Sequence, residues 1–177
     1  MAMATARDAQ SVPRRSLTLS RTPGTWILVV ALIVAHFVLH VGFGFGRGAP
    51  DLLTVGLLVA ARELSLGVAG VVGLVFGLLE DALSVLAFGA NTVTMTAIGI
   101  AGAFTRDLFV GDSRLFVVSY LFVGKWMRDL LHWLMMSSEL RQPFVSEVIA
   151  QGALAAAYAA LVGIALLSLV GRGGEEV

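Results

Sequence analysis

Residues 66–81 read Leu-Gly-Val-Ala-Gly-Val-Val-Gly-Leu-Val-Phe-Gly-Leu-Leu-Glu-Asp, and with the apolar continuation to Leu86 they decide the fold. The run is close to the ~20 residues that a membrane-spanning helix needs. Gly70, Gly73 and Gly77 fall on one helical face, which Asp81 continues. Small residues at this spacing let a neighbouring backbone come close. The segment therefore predicts a membrane helix with one closely packed face, ending in two carboxylates.

The composition of the whole chain supports a membrane protein. Hydrophobic residues make up 58% of the 177 residues and charged residues 14%, whereas soluble domains have roughly 45–50% and about 25%. A chain this short cannot hide so much apolar surface. The formal net charge is zero and cysteine is absent. Charge thus gives no reason to expect nucleic acid as a partner, and thiolate metal sites and cysteine nucleophiles are excluded.

Five further apolar segments flank this run, so the fold class predicted is an all-α integral membrane protein of six transmembrane helices. The predicted helices are Trp26 to Phe45, Asp51 to Glu63, Leu66 to Leu86, Asn91 to Phe104, Leu115 to Met136, and Phe144 to Val170. The first is longer than a signal-peptide core and lacks a cleavage site, so we expect it to be retained. The domain organisation is a flexible basic tail (1–22), the helical domain (23–171) and a short polar tail (172–177).

The distribution of arginine predicts the orientation of the helices. Basic residues concentrate in cytoplasmic segments of membrane proteins. With six helices, one side has eight: Arg7, Arg14, Arg15, Arg21, Arg62, Arg106, Arg114 and Arg172. The other side has only Arg47 and Arg141. Both termini are therefore expected in the cytoplasm.

The fifth predicted helix carries polar side chains that lipid would not tolerate. Lys125, Arg128, Asp129 and His132 are spaced i, i+3, i+4 and i+7 and so share one stripe of the helix. An ionisable group inside a membrane span costs ~2.5–3.5 kcal/mol on insertion scales. The stripe is therefore expected to face protein or water.

Other helices place polar groups at the same depth. At ~1.5 Å rise per residue, Glu80 and Asp81 of the third helix reach the outer half of the membrane, as do His36 and His40 of the first. Two hypotheses follow. The layer is a buried ion-pair network, chiefly Glu80 and Asp81 with Arg128 and Lys125, or it is a pocket or partner surface open to the periplasm.

Catalytic motifs are missing from the sequence. His36 and His40 have the spacing of a zinc pair, but the glutamate of the zincin motif does not follow His36, which favours a satisfied polar pair. No serine lies in a nucleophile-elbow context, and no phosphate-binding glycine loop occurs. We therefore expect no catalytic residue, no metal ligand and no cofactor, and a protein that is not an enzyme.

A series of short motifs resembles the bacterial rod shape-determining MreD family. The second helix opens with Pro50-Asp51, where Asp51 is well placed to cap the free amide groups of the first turn. The third contains Gly73-Leu-Val-Phe-Gly77-Leu-Leu-Glu-Asp81. A corner, Gly89-Ala-Asn91, and the pair Gly99 and Gly102 follow. The order and spacing of these motifs cover roughly residues 26–170. Phe88 and Ile100 depart from the family pattern, and the charged stripe of the fifth helix is richer than in the family.

The resemblance implies a non-enzymatic scaffold of the cell-elongation machinery. Its partners would be membrane lipid, an MreC-like bitopic protein, MreB filaments indirectly, and the glycan polymerase and transpeptidase of that machinery. The family is also similar in fold to the substrate-binding subunits of energy-coupling-factor transporters, so a vitamin-type binding subunit is the alternative. An ion-coupled carrier titrating Asp81 or Glu80 has no support from an inverted repeat.

Overall fold

The computed structural model describes residues 23–42, 50–84, 88–106 and 114–173, and these are all-helical with six α-helices. The helices are α1 (Pro23–Phe37), α2 (Leu52–Ala61), α3 (Leu66–Leu83), α4 (Ala90–Arg106), α5 (Arg114–Met135) and α6 (Gly152–Gly173). Two π-helical segments, Val38–Gly42 and Val145–Gln151, extend the end of α1 and precede α6. Two helical stretches, Leu66–Leu83 and Val145–Ser168, are long and apolar enough to cross a membrane.

The short α2 is the centre of the molecule. All ten of its residues are buried, and it contacts every other α-helix. Its sequence, LLTVGLLVAA, has no polar face, and a helix that is apolar all round is expected inside a bundle. Asp51 precedes the helix, and its carboxylate accepts a hydrogen bond from the Thr54 amide at 3.0 Å. This contact confirms the predicted cap. The helix spans Leu52–Ala61, which is shorter than the predicted 51–63.

The helices α3 and α4 form a closely packed antiparallel pair. A Cβ atom built on Gly77 would lie 2.5 Å from the Asn91 carbonyl oxygen, and one on Gly73 would lie 2.8 Å from the Met95 carbonyl carbon. On α4, a Cβ on Gly99 would lie 3.1 Å from the Ala69 carbonyl carbon. These glycines therefore allow backbone-to-backbone contact, as the spacing on the third helix predicted. Gly70 differs, because its Cβ would meet only the flexible side chain of Ile100 at 3.0 Å.

Polar side chains tie α5 to its neighbours. The Tyr120 hydroxyl donates a hydrogen bond to the Leu58 carbonyl at 2.9 Å. Gly102 of α4 packs closely against the same hydroxyl group, because a Cβ atom built on Gly102 would lie 2.8 Å from the hydroxyl oxygen. The Trp126 indole donates to the Val148 carbonyl at 2.9 Å. Gly102 and Tyr120 are in contact near the end of α4 and the start of α5, and Asn91 and Arg128 are in contact near the start of α4 and the end of α5, so these two helices are antiparallel. Leu28 near the start of α1 and Leu166 near the end of α6 line one groove.

The remaining helix bounds differ from the predictions by a few residues. The first helix begins at Pro23 rather than Trp26, as suits proline in a first turn. The structure describes it to 42, so the predicted end at Phe45 lies outside the described residues, as do residues 85 and 86 at the predicted end of the third helix. The fourth helix extends to Arg106, beyond the predicted Phe104. The sixth segment continues through a π-helix that the sequence did not predict. The predicted tail 1–22 and most of 172–177 lie outside the described residues.

Candidate functional site

Five charged side chains meet at one end of the bundle, and we call them the charge cluster: Asp51, Glu80, Lys125, Arg128 and Asp129. The Lys125 ammonium lies 3.2 Å from Asp51 Oδ2 and also contacts Asp129 Oδ1. The Arg128 guanidinium lies 2.6 Å from Glu80 Oε2 and 3.4 Å from Asp129 Oδ1. The cluster therefore joins α2, α3 and α5 through carboxylates and cations of alternating sign.

Lys125 of the charge cluster is buried and the other four residues are half-buried. The Lys125 side chain is 6% exposed, and those of Glu80 and Arg128 are 12% and 13% exposed. Burying an ion is expensive unless its partners and hydrogen bonds compensate it, and here each cation contacts two carboxylates within 3.4 Å. The sequence placed Lys125, Arg128, Asp129 and Glu80 in one layer, and the structure brings these four together.

Asp81 does not belong to the cluster, which corrects the predicted pairing of Asp81 with Arg128. Its carboxylate accepts hydrogen bonds from the amides of Gly89, Asn91 and Thr92 at 2.9–3.2 Å and from the Thr92 hydroxyl at 2.5 Å. It thus caps the first amides of α4, which helical hydrogen bonding leaves unsatisfied. The reason is geometric: adjacent helix positions diverge by about 100°, so Glu80 faces α5 while Asp81 faces the corner.

The corner itself depends on Gly89 and Asn91. Gly89 has φ +92°, a left-handed conformation that glycine adopts without steric cost. The Asn91 side-chain oxygen accepts a hydrogen bond from the Arg128 guanidinium at 2.9 Å, so Asn91 links the corner to the charge cluster. The sequence assigned Asn91 only to a family motif. It likewise assigned Asp51 only to a cap and a motif, although its place at the outer start of the second helix put it at the depth of the charged layer.

The two histidines of α1 stack on each other and flank the cluster. Their ring centroids are 4.1 Å apart. His36 Nδ1 accepts a hydrogen bond from the Leu53 amide at 3.3 Å, and His40 Nδ1 lies 3.1 Å from the His36 carbonyl oxygen. Both rings therefore have partners within the protein, as a polar pair requires.

One ligand atom from each of His36, Asp51 and Glu80 could converge on a metal ion, since these atoms lie within 4.8 Å of one another. The same carboxylates face Lys125 and Arg128 at 3.2 Å and 2.6 Å. A divalent cation at this point would be repelled by both side chains. The chemistry of the site thus favours ion pairs over a metal centre.

Two polar atoms of α5 are buried without a hydrogen-bond partner among the residues that the structure describes. They are Arg128 Nε and His132 Nδ1. Asp51 Oδ2 lies 3.9 Å from Arg128 Nε, too far for a hydrogen bond. Buried polar atoms are usually paired, so these two are exceptions within a cluster whose other polar atoms have partners.

A cavity of about 610 Å³ opens beside the charge cluster, and we call it the polar cavity. It is lined by the whole cluster, by His36, His40 and His132, and by Glu147 at the start of the sixth helical segment. Its volume falls within the ~300–1,000 Å³ of small-molecule sites. The cavity can bind a polar group, because its lining includes four carboxylates that can accept hydrogen bonds and two cationic side chains that can donate them.

Searches against family models, curated proteins and solved structures found no match to this chain. The function must therefore be argued from the residues and from this geometry.

Proposed function

We propose that this chain is a multi-pass membrane protein that serves as a non-enzymatic scaffold of the bacterial cell-elongation machinery. In this proposal six helices cross the inner membrane with both termini in the cytoplasm, in a fold like that of energy-coupling-factor binding subunits. The protein would hold an MreC-like bitopic protein, and through it MreB filaments, close to the glycan polymerase and transpeptidase.

Placement in the membrane is supported by the inverted distribution of polar and apolar side chains. Long apolar residues on several helices face outward, with Val71 61% exposed, Leu115 77% and Leu161 63%. The charged side chains of the cluster are instead at most 18% exposed. A soluble monomer rarely exposes large contiguous apolar patches, whereas lipid is the natural environment of such a surface.

The observation that carries the scaffold proposal is that the motifs of the MreD resemblance converge on one structural unit. Gly73 and Gly77 pack against α4, Asp81 caps α4, and Gly89 makes the corner. Motif residues scattered through a helical bundle by chance would not be expected to contact one another. Their mutual dependence supports a shared fold and, with it, the family's role.

A small-molecule binding subunit is the second candidate, and the polar cavity favours it. A volume of about 610 Å³ with buried charges suits a vitamin-sized ligand. Mass spectrometry of the purified protein under gentle conditions distinguishes the two. A stoichiometric soluble metabolite supports the binding subunit, and a retained bitopic protein supports the scaffold.

Depletion in the native host tests the scaffold proposal. Loss of the protein should turn elongated cells into spheres while growth in mass continues, and tagged protein should retain a bitopic membrane partner in mild detergent. A Val75→Leu variant is the control, since this side chain is 47% exposed on the outer face of α3. Unchanged cell shape and no retained partner would contradict the proposal.

A further inference from the structure

The ring of His36 lies between two carboxylates, one beside each of its nitrogens. Nδ1 is 3.9 Å from Asp51 Oδ1, and Nε2 is 3.8 Å from Glu80 Oε1. The His36 side chain is 7% exposed, and each of the two acidic side chains is 12% exposed. Both distances exceed the length of a charge-assisted hydrogen bond by about 1 Å. A small movement of the ring would therefore let both nitrogens donate to carboxylates.

The contact of Nδ1 shows which nitrogen carries the hydrogen of the neutral ring. Nδ1 accepts a hydrogen bond from the Leu53 amide at 3.3 Å, so the hydrogen is on Nε2, which faces Glu80. A second proton would have to bind Nδ1, and it would end the bond from Leu53 because a protonated nitrogen cannot accept one. The protonation state of His36 thus decides whether this hydrogen bond between α1 and α2 exists.

The formal charge of the cluster favours the uptake of one proton. The cluster contains three carboxylates and two cations, so one negative charge is left over. An uncompensated charge inside a protein is costly. The two cations repel a charged ring, but the three carboxylates outnumber them. A proton on His36 would bring the formal charge of the cluster and this ring to zero.

The neighbouring His40 limits the uptake to one proton. Its ring stacks on that of His36 with the centroids 4.1 Å apart, and two positive charges at this distance repel each other. His40 Nδ1 faces the carbonyl oxygen of His36, whereas both nitrogens of His36 face carboxylates, which favours His36 as the charged member. The other ionisable side chains around the same cavity are the five members of the charge cluster, His132 and Glu147.

We propose that His36 is an acid-sensitive switch between α1 and α2. The neutral ring accepts the hydrogen bond of the Leu53 amide. The protonated ring releases that amide and bridges Asp51 and Glu80 as an imidazolium ion. Its proton comes from water in the polar cavity, which His36 lines. This role does not depend on the proposed part in cell elongation.

Nuclear magnetic resonance of the unaltered full chain in detergent tests the switch. The chain has three histidines, so ¹⁵N labelling of histidine gives few signals, and ¹⁵N labelling of leucine reports the Leu53 amide. The samples would be titrated from about pH 8 to about pH 4, which covers the usual range of imidazole groups. We expect hydrogen only on Nε2 of His36 at the start, hydrogen on both nitrogens in acid, and a shift of the Leu53 signal with the same midpoint.

Two results on the same samples would overturn the proposal. One is a His36 ring that stays neutral down to about pH 4, or down to the pH at which the protein unfolds. The other is a Leu53 amide that does not respond when His36 is protonated. Infrared spectra cover a further alternative, since a protonated carboxyl band with no change at His36 would place the proton on Glu80 and would also refute the switch.

Matched variants identify the groups that hold the proton. His36→Gln keeps an oxygen for the Leu53 amide but cannot be protonated, so the Leu53 signal should no longer respond to pH. Glu80→Gln should weaken proton binding by His36 about tenfold, which lowers the midpoint by about one pH unit. Glu139→Gln is the control, because this exposed acid does not line the cavity, and its midpoint should stay unchanged.

The remaining comparison separates the two stacked rings. His40→Gln should leave the acid response of the Leu53 amide in place, because the carboxylates that face His36 are still present. Loss of that response in His40→Gln would place the proton on His40 and contradict the proposal. Equal shifts of the midpoint in Glu80→Gln and Glu139→Gln would contradict it as well.

Discussion

Glu80 and Asp81 are neighbours in sequence, yet they serve different parts of the molecule. Glu80 pairs with Arg128 inside the bundle, while Asp81 receives four hydrogen bonds at the α3–α4 corner. The sequence indicated that both are buried polar groups at one depth. It could not indicate their partners, because helical periodicity gives the direction of a side chain but not what lies opposite it.

A double-mutant cycle on thermal stability in detergent separates these two roles. The Glu80→Gln and Arg128→Leu changes should be strongly non-additive, because the two groups are in direct contact. Leaving one buried charge unpaired costs about 3–5 kcal/mol, and removing both costs less than the sum. The Asp81→Asn and Arg128→Leu changes should couple more weakly, since they are linked only through Asn91. A stronger coupling for Asp81 than for Glu80 would contradict the geometry.

Asp51 combines a helix cap with an ion pair, and two substitutions distinguish them. Asp51→Asn keeps an oxygen for the Thr54 amide but removes the charge that faces Lys125. Asp51→Ala removes both and should be less stable than Asp51→Asn by about 1 kcal/mol, the usual contribution of a cap. Chemical or thermal unfolding of the two variants measures the difference. Equal stability would mean that the cap contributes nothing beyond the ion pair.

Among the helices, α3 was predicted from the sequence, whereas the central position of α2 was not. The span of α3 and its glycine face followed from apolar length and spacing. The location of α2 among the other helices was not predicted, although a helix without a polar face is expected inside a bundle. The structure surrounds it with the five other α-helices. The sequence also did not predict the two π-helical segments, because no residue pattern marks them.

Two glycines of α3 provide a matched test of its packing. Gly77→Ala would push a Cβ to 2.5 Å from the Asn91 carbonyl oxygen, whereas Gly67→Ala meets nothing within 4 Å. Overpacking costs about 1–3 kcal/mol, so Gly77→Ala should lower the unfolding temperature. Gly67→Ala should be neutral or slightly stabilising, because alanine favours helix. Similar unfolding temperatures for both variants would show that the α3–α4 contact is looser than described.

At the scale of the whole molecule, the sequence predicted six antiparallel helices, and the structure contains six α-helices in its described residues. The number of helices follows from the composition of the chain and from the lengths of its apolar segments. The site was predictable only as a layer: which charges meet depends on the rotation and contact of helices, and no short-range pattern encodes those. The crossing of a membrane by all six helices stays a prediction.

The absence of cysteine makes single-cysteine labelling the most direct measurement of this central claim. Cysteines would be introduced singly at Ser138, at Val177 and at Leu161, in the middle of α6, and treated with a membrane-impermeant maleimide. We expect labelling of Ser138→Cys in intact cells and of Val177→Cys only after permeabilisation. Leu161→Cys, although 63% exposed on the bundle surface, should remain unlabelled because lipid covers it. Ready labelling of Leu161→Cys, or of Val177→Cys in intact cells, would contradict a six-helix protein embedded in the membrane with its termini inside.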